Sequence, residues 1–87
     1  MERNEYKTLV ARLTDGGINV IWAKAFVNVM ESRDVHELYF IDGKFGFVDK
    51  KLHEGFSIDK KGASLCKFDD GNTITKIHLP VYPRGSY

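Results

Sequence analysis

Cys66 and His78 are a thiol and an imidazole on two segments that read as neighbouring strands, and Asp69 lies between them in the chain. Together they could supply a nucleophile, its base and an orienting carboxylate, the arrangement of a small hydrolase. What such chemistry also needs is a turn beside the thiol whose backbone amides stabilise an oxyanion. Nothing near Cys66 has that character. A lone Cys in a strand pattern reads instead as a small hydrophobe of the sheet. No catalytic residue is assigned, and the expectation is a non-enzymatic chain.

Metal and phosphate chemistry fare no better. His36, His53 and His78 are scattered, and only Asp49 and His53 share an i, i+4 spacing that a helix would turn to one side. A third ligand at a recognisable spacing is missing. A single cysteine excludes both an internal disulfide and a Cys-rich zinc site. Gly43, Gly46, Gly62 and Gly71 do not form a run opening a helix, as a phosphate-cradling loop requires. The expectation is no metal and no cofactor.

The basic residues offer a second kind of chemistry. Lys50-Lys51 and Lys60-Lys61 sit in or beside predicted turns, and with Lys44 they would make an anion-binding patch if those turns lay at one end of the sheet. Lys44-Phe45-Gly46-Phe47-Val48 resembles part of the first ribonucleoprotein motif shared by RNA-recognition and cold-shock domains. That resemblance implies aromatic side chains, here Phe45 and Phe47, stacked on bases. The order departs from the motif: Gly43 precedes Lys44, and Lys50 stands where a third aromatic is common. The competing role for Phe45 and Phe47 is core packing. Thirteen basic and twelve acidic residues give a net charge of only +1, so nucleic-acid binding would have to come from a local patch. A nucleic-acid-binding module using Lys44, Lys50, Lys51, Lys60 and Lys61 is therefore the alternative reading.

The elements that must position these groups follow from periodicity. Eighty-seven residues, 43% of them hydrophobic and 29% charged, predict a single small globular domain over 1–87. Tyr6, Leu9, Val10 and Leu13 recur at helical spacing between a candidate cap at Asn4 and the stop at Gly16-Gly17. A second helix is predicted from Ile18 to Met30, with Ile18, Ile21, Trp22, Ala25, Phe26, Val29 and Met30 on its buried face; a β-hairpin about Asp15-Gly16 is the competing assignment. From Glu37 the period becomes two. Asp42-Gly43 predicts a tight hairpin that pairs Phe40 with Phe45 and Leu38 with Phe47, all four on one face. A polar stretch over Asp49 to Glu54 follows. Strands are then expected at Phe56 to Ile58, Ala63 to Phe68 and Thr73 to Tyr82, with turns at Asp59 to Gly62 and at Asp70-Gly71. The predicted class is α+β, two N-terminal helices packed on a roughly five-stranded antiparallel meander sheet.

One surface remains over. Val20, Ala23 and Val27 fall on the side of the second helix opposite its predicted core face, flanked by Lys24 and Glu31. A helix apolar on two sides is central in its domain or half of an interface. The reading is a protein-interaction domain, an accessory, adaptor or inhibitor protein, contacting a protein partner or a second copy through Val20, Lys24, Val27 and Glu31. In size and composition the chain resembles the short accessory proteins of phages and mobile elements. No signal-peptide-like or bilayer-spanning run is present, so the expected compartment is the cytosol, with no membrane association.

Overall fold

The computed structural model describes residues 1–69 and 72–80. Two helices, α1 (Arg3–Asp15) and α2 (Val20–Ser32), precede five strands: β1 (Tyr39–Ile41), β2 (Lys44–Asp49), β3 (Glu54–Ile58), β4 (Gly62–Asp69) and β5 (Asn72–Pro80). The strands form one antiparallel sheet in the order β1-β2-β3-β4-β5, the meander expected of an α+β chain. The turn predicted at Asp70-Gly71 and the strand continuation to Tyr82 lie outside the described residues.

Both helices end in the same way. Gly17 sits at φ 95°, its amide bonds to the Thr14 carbonyl, and the Ile18 amide reaches back to the Leu13 carbonyl. This is a Schellman ending, and it brings Ile18 against Leu13, both buried. At the end of α2, Asp34 takes the left-handed position at φ 56°, and the Val35 amide bonds to the Met30 carbonyl at 2.9 Å. The start of α1 is Arg3, with Glu2 rather than Asn4 at the cap position. α2 starts two residues after Ile18, where the Asn19 side chain accepts the Ile21 amide at 2.9 Å.

The core lies between the helices and one face of the sheet. Leu9 and Leu13 of α1 meet Phe26, Val27 and Met30 of α2 over Phe45, Phe47 and Ile58. Phe26 meets Phe47 edge-on at 5.2 Å between ring centroids, and Phe56 stacks on Phe47 at 4.8 Å. The predicted face of α2 needs correction. Its buried residues are Ala23, Phe26, Val27 and Met30, while Ile21 and Ala25 are exposed. Val27 is 0% exposed, so the helix is rolled relative to the expected orientation. Ala23 lets α2 approach its neighbours closely, whereas the bulk of Trp22 is accommodated half-buried at the flank.

The hairpin prediction holds in register: Phe40 faces Phe45, and Asp42 and Gly43 both take positive φ, at 54° and 78°, as a type I′ turn demands. Phe40 is not core, however. It is 58% exposed because β1 is the sheet edge, although its ring still touches Phe45 at 4.7 Å between centroids. Leu38 is buried ahead of the strand, where its carbonyl accepts Arg12 Nη2 at 3.3 Å.

Candidate functional site

Side chains alternate across a strand, so the register assigns every strand residue to the covered or the open face. Phe45, Phe47, Asp49, Glu54, Phe56 and Ile58 project toward the helices, since their paired positions run Phe45↔Ile58, Phe47↔Phe56 and Asp49↔Glu54. The open face carries the other parity. Across it run Tyr39, Gly46, Ser57, Ser64 and His78 in one row, and Val48, Gly55, Cys66 and Lys76 in the next.

This open face carries an apolar concave surface. Tyr39, Ile41 and Val48 stand 44%, 66% and 40% exposed along β1 and β2. Beside them a shallow groove of about 300 Å³ reaches over Gly46, Gly55, Ser57 and Cys66. Glycine is required at one of these positions. A Cβ on Gly46 would lie 2.9 Å from the Phe56 carbonyl oxygen, a backbone atom that cannot swing aside. Beyond the groove, the next strand of this face is polar and basic, with Lys76 opposite Cys66 and His78 opposite Ser64 on β5.

A second constellation lies where α2 meets the β2–β3 turn, and it is structural. Arg33 bonds Glu54 and, at 3.1 Å, Asp49, while its guanidinium lies 4.5 Å over the Phe56 ring. Glu54 also faces Lys67 at 3.5 Å, and Asp49 Oδ1 accepts the Lys51 and Leu52 amides at 3.0 and 3.2 Å. The Arg33 hydrogen bond holds the Glu54 carboxyl below its ordinary range, and the same contact raises the guanidinium. For Asp49, burial pushes the carboxyl up, but the two amides and Arg33 outweigh it and the net shift is downward. Nearby, His36 is clasped between Asp34 and Glu5 at 3.0 Å from each, which raises its pKa. With each charge answered by another, this cluster ties α1, α2 and the sheet together.

The residues singled out in the sequence are dispersed. Val20, Lys24 and Glu31 are exposed on α2, with Val20 at 48% and Glu31 3.7 Å from the Met1 amino group. Val27 is core, so the four do not form one surface. The lysine patch is divided as well. Strand direction reverses at each turn, which puts Lys60 and Lys61 with Lys44 at one end of the sheet and Lys50 and Lys51 at the other. Six residues of β2 separate the ends, about 20 Å at 3.3 Å per residue. Phe45 and Phe47 are buried under the helices and present no ring to a base.

Cys66 is half-buried on the open face rather than packed in the core, and it sits opposite Lys76. His78 faces Ser64 instead, with Oγ and Nδ1 3.2 Å apart. Residues 50–53 form a turn and not a helix, so Asp49 and His53 do not share the side their spacing suggested. No group of three His, Cys, Asp or Glu side chains suited to a metal ion occurs among the described residues. Nor is any helix among them long and apolar enough to cross a membrane.

The sequence around Phe45 and Phe47 also carries a mark of the open face. Its signal was the opposite parity: Gly46 and Val48 on β2, then Gly55 and Ser57 on β3, small or apolar residues where an exposed face is ordinarily polar. Comparison with family models, curated proteins and solved structures finds none that this chain matches.

Proposed function

We propose that the chain is a protein-interaction domain, an accessory, adaptor or inhibitor protein, and that it contacts its partner through the uncovered face of the sheet. The observation that carries this reading is the cluster of Tyr39, Ile41 and Val48 on that face. Single exposed apolar residues are ordinary, but a contiguous group bordering a groove is what interaction surfaces present. The helices already bury the other sheet face, so these side chains contribute nothing to the domain's own core.

The test compares two double variants in cross-linking capture from the native host. Ile41→Asp with Val48→Asp should lose the cross-linked partner while circular dichroism stays native. Val20→Asp with Lys24→Glu, on the exposed strip of α2, should keep it. Loss of the partner only in the α2 variant would move the interface to the helix and overturn the assignment to the sheet.

A further inference from the structure

The open face is asymmetric in charge. Its apolar side is Tyr39, Ile41 and Val48, and its opposite side, on β5, is Lys76 and His78, both exposed. No described strand position on this face is a carboxylate, and the exposed Asp42 and Asp69 lie at its ends, in the β1–β2 turn and at the end of β4. Asp49 and Glu54 project from the other side of the sheet to Arg33, and Glu37 at the rim accepts the Tyr39 hydroxyl. Asp59, in the β3–β4 turn, accepts the Lys61 and Gly62 amides at 2.8 and 3.0 Å and lies in the field of Lys44. Lys44 is thereby partly compensated. On the β5 side the strand itself contributes no carboxylate, and Asp69 pairs with Asn72 at the end of the ladder, four residues along β5 from Lys76.

The floor between the two sides belongs to β3 and β4. From β2 to β5 there are three inter-strand steps, about 14 Å at 4.8 Å each. An α-helix with its side chains is about 10–12 Å across, so the width of this face between β2 and β5 matches one helix laid along the strands. The run of β2 is about 20 Å, which corresponds to roughly 13 helical residues at 1.5 Å each.

Resting on the protein-interaction reading above, we propose that the open sheet face receives an acidic amphipathic helix of a partner protein, its apolar stripe on Tyr39, Ile41 and Val48 and its carboxylates toward Lys76 and His78. A second copy of this chain is a poorer occupant, because the face it brings holds Lys44 and Lys76 and no carboxylate at its strand positions to answer them. Single-stranded nucleic acid is also poorer. It needs a row of exposed rings and a track of cations, whereas here Tyr39 stands at one side, Phe68 lies half-buried over Gly55 on the floor, and the lysines are two, Lys44 and Lys76.

Display selection of random peptides about 16 residues long, enough for the helix and its ends, tests this on the whole chain. Against the wild type, enriched sequences should place apolar residues at i, i+3, i+4 and i+7 with Asp or Glu along one flank. Their binding should fall at least about tenfold, roughly 1.4 kcal/mol, with Ile41→Asp. With Lys76→Glu and His78→Glu, both at exposed positions, selection should switch the flank to Lys or Arg. Enriched peptides that bind this face without helical periodicity, or whose charge ignores the β5 reversal, overturn the acidic helix but leave the protein-interaction reading standing. Selection of nothing that depends on Ile41, together with tight binding of an oligothymidine at physiological salt, overturns both. Concentration-dependent dimerisation that Ile41→Asp abolishes makes the occupant a second copy and also overturns the proposal.

Discussion

The roll of α2 is decided by comparing Val27 with Val20, two valines seven residues apart on the same helix. Val27 is wholly buried and Val20 is 48% exposed. Replacing Val27 by Ala removes two buried methyl-sized groups, about 0.8 kcal/mol each by transfer alone, and the cavity left behind raises the cost to about 2–3 kcal/mol. Val27→Thr keeps the shape but buries a hydroxyl among apolar neighbours, about 1–3 kcal/mol unless it finds a backbone acceptor. The same changes at Val20 should stay within about 0.5 kcal/mol. A chain of 87 residues has about 4–13 kcal/mol of total stability, so the Val27 variants remain folded and measurable. With a urea m-value near 1 kcal/mol per M, Val27→Ala should lower the unfolding midpoint by roughly 2–3 M without changing the slope. Equal midpoints for the Val20 and Val27 variants would refute the packing of α2 described above and restore the interface first read from the sequence.

Gly46→Ala should destabilise the sheet by more than the strand preference of Ala offsets, because the added Cβ meets the Phe56 carbonyl; a lowered urea midpoint checks it, and an unchanged one would show that β2 and β3 can separate at no cost. Stability should also fall at both ends of the pH range. Glu54 and Asp49 are depressed in the folded state, so their contribution is complete above the ordinary values of 4.5 and 3.8 and disappears as pH falls through the lowered ones. His36 is raised, chiefly by its hydrogen bonds to Asp34 and Glu5, so its contribution is complete below 6.5 and is lost as pH rises through the elevated value. Urea midpoints across pH should lose the alkaline decline in His36→Asn and keep the acid one.

Local chemistry made some of this fold legible. The turn at Asp42-Gly43 follows from which residues tolerate positive φ, and α1 from a single unambiguous apolar stripe. The roll of α2 was not legible, since nine of the eleven residues from Val20 to Met30 are apolar and several faces satisfy the period. There the helix's neighbours decide, through the smallness of Ala23 and the bulk of Trp22. Two further features are present in the pattern. In a meander successive turns alternate ends, and this alone separates Lys50-Lys51 from Lys60-Lys61. Asp49 continues the parity of Phe45 and Phe47, so a buried carboxylate with a cationic partner was implied, although nothing in the sequence singled out Arg33 as that partner. The open face is read the same way, from the residues between the phenylalanines.

The meander has a consequence for how the chain reaches this structure. Each strand pairs with the one made just before it, and the connections are short, two residues between β1 and β2 and four between β2 and β3. Closing such loops costs little entropy, so ladders can form in the order in which the ribosome delivers them. α1 and α2 leave the ribosome first, and their apolar sides must wait for the sheet. Contacts such as Phe26 on Phe47 join layers made at different times. Until β2 and β3 have paired, the most apolar helix of the chain stays uncovered, and that interval is when a nascent chain most needs protection from aggregation.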